Sequence, residues 1–444
     1  MIITNGKIIT WGNPNLVLDG YDLWIQDGII KTIQKSGELI RQYPEETVLD
    51  ANGQLVMPGN ICAHTHFYGA FSRGMAIPGE PPSDFQSILS SLWWKLDKAL
   101  DEEGVKYSAL VCLVDAIKYG TTTLFDHHAS PNFIDGSLDV IHDAVAEAGL
   151  RASLCYEVTD RDGTEKAQQG IRENERFITR VECNHVNPLV RAHFGLHASL
   201  TVSEETLENC LAANNWRTGF HVHAAEGWVD QSDALNKYGK RVIERFYDRG
   251  VLGPKTILAH GVHADIHEIE LLAETETWLS HQPRSNMNNA VGVAPILPML
   301  EKGVKVVLGN DGFSNAMWEE WKAAYFIQKD HGQDPRLMNG CDVIKIAVEN
   351  NSRLASQTFG GLRIGEIAEG TAADLVMVDY HPMTPLTAGN LPWHILFGFR
   401  EGMVTTTMVA GKILMQDRKL LFLDEGEIAA RSRELAQQAW NKIH

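Results

Sequence analysis

The chain lacks the features of exported, membrane-spanning and disulfide-rich proteins. Its 444 residues include six cysteines without a C-x-x-C pair, and several of them lie in apolar runs where a free thiol behaves as a small hydrophobic group. The N-terminus has neither the basic region nor the long apolar core of a signal peptide, and no stretch approaches about 18 apolar residues. The sequence therefore predicts a cytoplasmic protein with no membrane span.

Positive charge is also scarce in this chain. Lys and Arg number 39 against 57 Asp and Glu, which gives a formal net charge of -18. A protein of this charge repels phosphate backbones and anionic membranes, so we expect neither nucleic acid nor membrane as a partner. No G-x-G-x-x-G follows a predicted strand, which argues against a phosphate-cradling loop. A small molecule is the expected substrate.

Histidines, by contrast, gather at particular points of the chain. Eleven of the 18 histidines lie near the C-terminal ends of predicted strands, at positions 64, 66, 127, 128, 193, 197, 221, 223, 260, 263 and 281. In a barrel of parallel strands, the groups that do chemistry gather at these ends. The distribution therefore predicts that these histidines share one opening, the mouth of the barrel at the C-terminal ends of its strands.

The most informative stretch is His64-Thr65-His66, which follows the apolar run 55–59. Two imidazoles alternating on one face of a strand can bind a single metal ion. A lone pair of this kind is as often two unrelated polar residues on a strand edge. Here three further candidates, His223, His260 and Asp311, each come at the end of another strand-like run. The ordered set indicates metal chemistry.

From Met57 to about Gly361, short β-branched runs alternate with helical patterns, as in repeated β-α units around a parallel sheet. We count eight strands: 55–57 running into 61–66, then 121–127, 151–158, 190–197, 219–224, 255–260, 278–282 and 304–311. The fold class is therefore α/β, with a (β/α)8 TIM-like barrel over residues 58–361. Within it, Asp265 and Glu268 predict a capping box that opens a helix through Leu272.

Both ends of the chain, 1–57 and 362–444, carry short β-like runs separated by Gly and Asp turns. Neither end alone has enough strands to bury a face. We therefore expect the two ends to form one small β-sandwich domain beside the barrel, followed by a C-terminal helix from Glu425 to His444.

Five motifs together resemble the amidohydrolase superfamily. They are Pro58-Gly59 through His64-Thr65-His66, His223-Ala224-Ala225-Glu226, Ala259-His260-Gly261, Arg284-Ser285-Asn286 and Asn310-Asp311-Gly312. The resemblance spans the whole chain and is nearest to the branch of cytosine, guanine, triazine and adenosyl-type deaminases and chlorohydrolases. Within that branch, segments 92–97 and 125–131 are similar to the SsnA group of aminohydrolases.

The resemblance implies that His64, His66, His223 and Asp311 bind one divalent metal ion. We expect Zn²⁺, with Fe²⁺ as the alternative, because three imidazoles and a carboxylate suit both. Relatives with two metals place a carboxylated lysine or a bridging carboxylate at the end of the third or fourth strand. Segments 151–160 and 190–199 contain no lysine, so we predict a mononuclear site with Glu157 as the weaker bridging alternative. Relatives of this type commonly form homodimers, which leaves a dimer open here.

Three polar residues are candidates for catalysis. Zinc lowers the pKa of a bound water from 15.7 to about 7, and Asp311 and His260 are placed to orient the resulting nucleophile. Glu226, three residues after His223, is the expected proton shuttle to a ring nitrogen and the leaving amine. The alternatives are a helix first-turn carboxylate for Glu226 and a backbone-bonded core histidine for His260.

Seven further residues are candidates for substrate contacts. Aromatic rings at the mouth could stack on a flat heterocycle, and polar groups could direct its orientation, although plain core packing or solvation is the commoner fate of each type. The candidates are Tyr68, Arg73, Trp94, His197, Asn286, His281 and Trp318.

These observations predict a metal-dependent hydrolytic deaminase, or aminohydrolase, that acts on C–N bonds of cyclic amidines. Its expected substrate is an amino-substituted nitrogen heterocycle of the purine, pterin or triazine type, attacked by metal-bound hydroxide with release of ammonia. One alternative is hydrolytic removal of another ring substituent, as in a chlorohydrolase. The other is a catalytically silent metal-binding scaffold.

Overall fold

The described residues, 1–77, 79–184 and 187–443 of the computed structural model, contain 20 strands and 17 α-helices. The strands are β1 Ile2–Thr4, β2 Lys7–Ile9, β3 Val17–Leu18, β4 Tyr21–Gln26, β5 Ile29–Lys35, β6 Val48–Asp50, β7 Leu55–Pro58, β8 Asn60–Thr65, β9 Thr121–Asp126, β10 Arg151–Leu154, β11 Val190–Ala192, β12 Phe194–Ala198, β13 Phe220–Ala224, β14 Ile257–His260, β15 Trp278–His281, β16 Lys305–Leu308, β17 Leu375–Val378, β18 Val404–Val409, β19 Lys412–Gln416 and β20 Lys419–Leu420. The helices are α1 Glu38–Gln42, α2 Phe85–Ile88, α3 Trp94–Ala99, α4 Glu102–Tyr119, α5 Ser137–Ala148, α6 Thr164–Asn184, α7 Glu204–Ala213, α8 Trp228–Tyr238, α9 Val242–Asp248, α10 Ile266–Glu274, α11 Pro283–Asn288, α12 Ile296–Glu301, α13 Met317–Gly332, α14 Gly340–Ile344, α15 Asn351–Thr358, α16 Leu391–Gly398 and α17 Glu425–Ile443.

Strands β8 to β16 run parallel and fill the eight positions of a barrel. β8 to β11 form one sheet, and β12 to β16 form the other. The two sheets meet where Val158 pairs with Leu196 and, on the other side, where Thr65 pairs with Asp311. The predicted (β/α)8 TIM-like fold is therefore confirmed.

Two of the predicted barrel strands have different bounds in the structure. Leu55–Pro58 does not continue into the barrel, because it pairs with β17 and β2 in a separate sheet. The chain turns at Gly59, where a Cβ would lie 2.2 Å from Thr122 Cγ2. The fourth strand is divided around His193, so that β11 pairs with β10 and β12 pairs with β13.

The chain ends form two further sheets that face each other. Their strand orders are β5-β4-β1-β6 and β20-β19-β18-β17-β7-β2-β3. Both sheets contribute to one hydrophobic core, which includes Ile3, Leu23, Val56, Leu375 and Met408. The predicted β-sandwich built from both chain ends is confirmed by this shared core.

The helices pack around the outside of the barrel. The predicted capping box opens α10, since the Glu268 amide donates to Asp265 Oδ1 at 2.9 Å and the Asp265 amide donates to Glu268 Oε2 at 3.1 Å. The C-terminal helix α17 packs against α4 of the barrel, and Trp440 Nε1 donates to the carbonyl oxygen of Phe71 at 2.7 Å. Among the described residues, no helix combines the length and apolar character that crossing a membrane needs.

The last barrel strand approaches the first at Gly309. A Cβ there would lie 2.7 Å from both the backbone nitrogen and the backbone oxygen of His64, so this approach requires a residue without a side chain. Just beyond it, the amides of Asn310 and Asp311 donate to the carbonyl oxygen of His64 at 2.9 and 3.0 Å. Barrel closure thus brings Asp311 to the histidines that follow β8.

Substitution of Gly309 tests this link between closure and site. Gly309→Ala should lower the free energy of unfolding by about 1–3 kcal/mol, the usual cost of overpacking, and should weaken zinc binding because Asp311 moves. Gly402→Ala is the matched control, since no heavy atom lies within 4 Å of the added Cβ. Thermal unfolding measures the change in stability, and zinc titration measures the change in affinity. Equal stability and equal zinc affinity of the two variants would contradict the role of Gly309 in placing Asp311.

Candidate metal centre and active site

A cavity opens where the barrel strands end at their carboxyl termini. Its wall includes His66, Glu157, His223, Glu226, His260 and Asp311. Apolar side chains of the segment 85–94 cover it from one side, among them Phe85, Leu89 and Trp93. Since catalytic groups of parallel barrels lie at this end, the cavity is the candidate active site.

Two imidazoles are held so that the same ring nitrogen of each points inward. His66 Nδ1–H donates to the carbonyl oxygen of His127 at 2.6 Å, and His223 Nδ1–H donates to that of His197 at 2.8 Å. Because Nδ1 carries the proton, Nε2 carries the lone pair, which is the form of histidine that binds metal. The two Nε2 atoms lie 3.2 Å apart.

His64 and Asp311 extend the same group of ligand atoms. His64 is held through Nδ1 by His221 Nε2 at 2.8 Å, and its own Nε2 is buried without a hydrogen-bond partner among the described residues. Asp311 Oδ1 lies 3.0 Å from His66 Nε2 and 3.7 Å from His64 Nε2. His221 therefore supports the His64 ring from beneath the candidate ligands.

The electrostatics of these groups fit a bound cation. Burial lowers the pKa of His64 to about 3, so its buried nitrogen stays unprotonated. Burial also opposes a charged ring at His66, yet the Asp311 carboxylate raises the pKa of His66 to about 9. The carboxylate thus draws a positive charge into a pocket of imidazole lone pairs, and a divalent ion satisfies all of these atoms at once.

His260 lies beside the same centre and is fixed by Asn286. Its Nδ1–H donates to Asn286 Oδ1 at 2.9 Å, which leaves Nε2 buried and unpaired among the described residues. One nitrogen each of His64, His223 and His260 and one oxygen of Asp311 lie within 4.8 Å of one another. The backbone φ is 79° at His260 and 59° at Asp311. Such left-handed conformations are strained for these residue types and cluster at functional sites.

Glu226 is a neutral acid above the candidate ligands. Its Oε2 lies 3.4 Å from His260 Nε2, and its Oε1 accepts a hydrogen bond from Asn289 Nδ2 at 3.5 Å. Burial and, after it, the negative charge of Asp311 raise the pKa of Glu226 well above its usual range. A protonated carboxylic acid next to the metal ligands is the group that a proton transfer to substrate needs.

A second carboxylate, Glu157, lines the cavity from the third strand position. Its Oε2 lies 3.2 Å from His127 Nδ1, and its Oε1 lies 3.8 Å from Arg161 Nη2. Burial works against ionisation, but the facing imidazoles and guanidinium lower the pKa of Glu157 to about 2. Behind it, Arg161 is paired with Asp97. The pKa values of the two cavity carboxyls, Glu226 and Glu157, are therefore shifted in opposite directions.

The structure brings three of the seven predicted substrate contacts to the cavity, namely Tyr68, Trp94 and His197. His197 is held by a 2.5 Å hydrogen bond between its Nδ1 and Thr201 Oγ1, and burial lowers its pKa to about 4. These three remain candidates for contact with a ligand.

The other four predicted contacts are corrected, because none of them lines the cavity. Trp318 is fully buried against Phe399, with ring centroids 5.0 Å apart. The exposed Arg73 pairs with Asp115 at 3.0 Å. Asn286 acts on His260 rather than on a ligand, and His281 is buried in the barrel without a partner among the described residues.

The expected single mouth of eleven histidines also needs correction at His193. This residue precedes β12 and bonds Ser153 Oγ at 2.7 Å, and it lines a separate pocket with Lys255 and Trp216 at the amino ends of the strands. Sequence counting placed it at the wrong end because the fourth strand is divided there.

Two polar residues of the site were missed in the sequence. Ser285 Oγ donates to Asp311 Oδ2, and Asn289 Nδ2 reaches both Glu226 Oε1 and Ser285 Oγ. The signal was present, since residues four apart share one face of a helix and α11 begins directly after β15. Only the three-dimensional direction of α11 shows that this face turns to the cavity.

Comparison with known proteins agrees with this geometry. The profile of the amidohydrolase family matches residues 55–414. The chain belongs to the amidohydrolase family. The resemblance drawn from the five motifs is thereby confirmed, while the narrower SsnA grouping stays a prediction.

Similar proteins extend over nearly the whole chain. A 5'-deoxyadenosine deaminase of Methanopyrus kandleri is 32% identical over 446 residues, which cover 99% of each chain. The zinc-bound crystal structure of an adenosine deaminase from Xanthomonas campestris has a TM-score of 0.85 at 21% identity and covers 99% of this chain and 98% of that chain. Zinc-bound atrazine chlorohydrolase from Arthrobacter aurescens has a TM-score of 0.81 at 18% identity, over 98% and 99% of the two chains. These two structures support the fold.

Removal of one imidazole tests the candidate metal centre. His66→Ala should lose the divalent ion during dialysis against a weak chelator, because Nε2 of His66 lies between His223 and Asp311. Metal content by plasma emission spectrometry measures this. His267→Ala, at an exposed histidine, should keep the metal content of the unchanged protein. Full metal content in His66→Ala would exclude His66 as a ligand.

Proposed function

We propose that this protein is a metal-dependent aminohydrolase that replaces a ring amino group of a nitrogen heterocycle with oxygen and releases ammonia. The observation that supports it most is the buried Glu226 carboxyl, whose Oε2 lies 3.4 Å from His260 Nε2 and whose pKa is raised well above its usual range. The deaminase names of relatives that match along the full chain point the same way.

The proposed metal ligands are His64, His66, His223 and Asp311, which hold one divalent ion, with zinc favoured over ferrous iron. This assignment leaves His260 free to act on the nucleophile, since Asn286 fixes its ring. An ion held there lowers the pKa of a bound water and so supplies a nucleophile near neutral pH. Zinc in two solved structures of similar fold supports the choice of metal.

Asp311 and His260 position the attack on the ring carbon. Asp311 keeps its charge because the neighbouring His64 and His66 imidazoles outweigh burial and hold its pKa well below the usual range. Its carboxylate can therefore accept the first proton of the attacking water. His260 Nε2, buried and without a partner among the described residues, can hydrogen-bond the same water and fix its orientation.

Glu226 carries the protons between the two halves of the reaction. The neutral carboxyl protonates a ring nitrogen next to the attacked carbon, which makes that carbon more electrophilic. The ionised Glu226 then takes the second proton of the water and passes it to the amino group, and the first water proton, held by Asp311, returns to Glu226 after ammonia leaves. The C–N bond breaks, ammonia leaves, and the ring keeps the water oxygen as a carbonyl beside an N–H.

The position of Glu226 favours an amine over a halide as the leaving group. An amine must gain a proton before it departs, whereas chloride leaves as an anion and needs none. A buried acid with a raised pKa supplies this proton at neutral pH. Deamination is therefore favoured over the removal of a chloride substituent as the proposed reaction.

The proposed setting is a cytoplasmic homodimer. All six cysteines are free thiols, as expected for a reducing compartment. Phe326 and Phe397 are 51% and 56% exposed and lie with ring centroids 6.4 Å apart, an apolar surface suited to a subunit contact.

Substitution of Glu226 tests the proton shuttle. With a panel of aminopurines, aminopterins and aminotriazines, the zinc-loaded protein should release ammonia from at least one member. Glu226→Gln should keep its zinc while kcat falls by roughly 10²–10⁴, the span for loss of a general acid-base. Glu274→Gln, on the exposed face of α10, should retain full activity. Near-normal turnover in Glu226→Gln would remove Glu226 from the mechanism, and a silent panel would overturn the proposed function.

A further inference from the structure

The proposed mechanism leaves the ionised carboxylate of Glu157 unused, although it lines the reaction cavity. Glu157 follows β10 at the third barrel position, whereas Glu226 follows β13 at the fifth, and both line the same cavity. One oxygen of Glu157 and one nitrogen each of His197 and His223 lie within 4.8 Å of one another. The carboxylate therefore stands close enough to the metal ligands to touch the reacting end of a bound ring.

The protein leaves one oxygen of Glu157 without a hydrogen-bond donor. Oε2 lies 3.2 Å from His127 Nδ1. Oε1 accepts no hydrogen bond among the described residues, because Arg161 Nη2 lies 3.8 Å from it, beyond hydrogen-bond distance. A buried carboxylate oxygen without a donor is costly, so a donor from a bound molecule would be favoured at Oε1.

The nearby guanidinium of Arg161 does not line the cavity. Arg161 is paired with the buried Asp97, and its guanidinium carbon lies 5.5 Å above the ring centroid of Trp94. Trp94, rather than Arg161, faces the cavity. A ligand on this side therefore meets an aromatic ring and a carboxylate, which favours a flat molecule with N–H donors.

A second metal ion is the rival occupant at Glu157, and the contacts argue against it. His223 uses Nδ1 to donate to the carbonyl oxygen of His197 and turns Nε2 toward His66. It therefore has no ring nitrogen free for another ion. The guanidinium beside Glu157 also repels a second cation.

We infer that the substrate is a cyclic guanidine, whose amino-bearing carbon lies between a ring nitrogen that faces Glu226 and a ring N–H that faces Glu157. This inference rests on the proposed function. Glu226 gives its proton to the first nitrogen, while Glu157 accepts a hydrogen bond from the N–H on the other side of the same carbon. The 2-amino-6-oxopurines and the 2-amino-4-oxo pteridines and pyrimidines have this arrangement.

Adenine-type rings do not have it. Their amino-bearing carbon has a ring nitrogen on one side and a ring carbon on the other, so no N–H would reach Glu157. Binding such a ring would leave the buried carboxylate unpaired, and sites of this kind reject analogues that lack the donor. Glu157 is thus proposed as a specificity-determining residue that favours rings with this N–H over adenine-type rings.

Pairs of substrates that differ at one ring nitrogen test the inference on the intact zinc-loaded protein. Guanine and pterin should be deaminated, whereas 1-methylguanine, in which the N–H is blocked, and adenine should show at least about 10²-fold lower kcat/KM. Equal use of guanine and 1-methylguanine, or a preference for adenine or 5'-deoxyadenosine, would overturn it.

Glu157→Gln shows whether this carboxylate causes the preference. Its kcat/KM for guanine should fall by roughly 10 to 10²-fold, the effect of losing a hydrogen bond to a charged group, while activity with 1-methylguanine changes little. Zinc content and melting temperature should stay near those of Glu165→Gln, a control at an exposed position of α6. An unchanged preference, or loss of zinc from Glu157→Gln, would assign Glu157 another role.

Calorimetric binding separates failure of this inference from failure of the proposed function. If no heterocycle releases ammonia, deamination is wrong, but tighter binding of guanine than of 1-methylguanine would still support Glu157 as the reader of an N–H. If ammonia is released and both members of the pair bind equally, the function stands and the role of Glu157 is wrong. Failure of both to bind would also overturn it.

Discussion

The hydrogen bonds from imidazole Nδ1 to backbone carbonyls are the constraint on which the site depends. His66 and His223 each donate to the carbonyl of a histidine at a neighbouring strand end, so ring orientation is fixed by barrel geometry itself. Because these bonds also fix the tautomer, the lone pairs on Nε2 point to one place. Closure of the barrel at Gly309 then adds the carboxylate of Asp311 to them.

Around this centre, two glutamates have different chemical roles because their surroundings differ. Glu226 is buried next to a negative charge, which raises its pKa, whereas Glu157 is buried beside imidazoles and the Arg161 guanidinium, which lower its pKa to about 2. The first can therefore donate a proton and the second can only accept a hydrogen bond. This difference between the two carboxyls links the proton transfer at Glu226 to the substrate preference proposed for Glu157.

The sequence predicted the site residues that lie at strand ends, but it did not predict which way individual side chains point. The barrel, the β-sandwich and the clustering of His64, His66, His223, Glu226, His260 and Asp311 follow from periodicity and position along the chain. Trp318 and Arg73 were wrong as ligand contacts, because an aromatic or basic residue near a strand end gives no sign of whether it turns inward or toward a neighbouring helix. Ser285 and Asn289 were missed for the same reason. The division of the fourth strand at His193 depends on register between two sheets, which no local pattern contains.

The number and position of bound metal ions test the central claim most directly. A crystal of the zinc-soaked protein, measured with X-rays on both sides of the zinc absorption edge, should show one anomalous peak. That peak should lie about 2.0–2.2 Å from Nε2 of His64, His66 and His223 and from a carboxylate oxygen of Asp311. A peak that excludes His66 or His223, or a second peak of equal height bound by Glu157, would contradict the account.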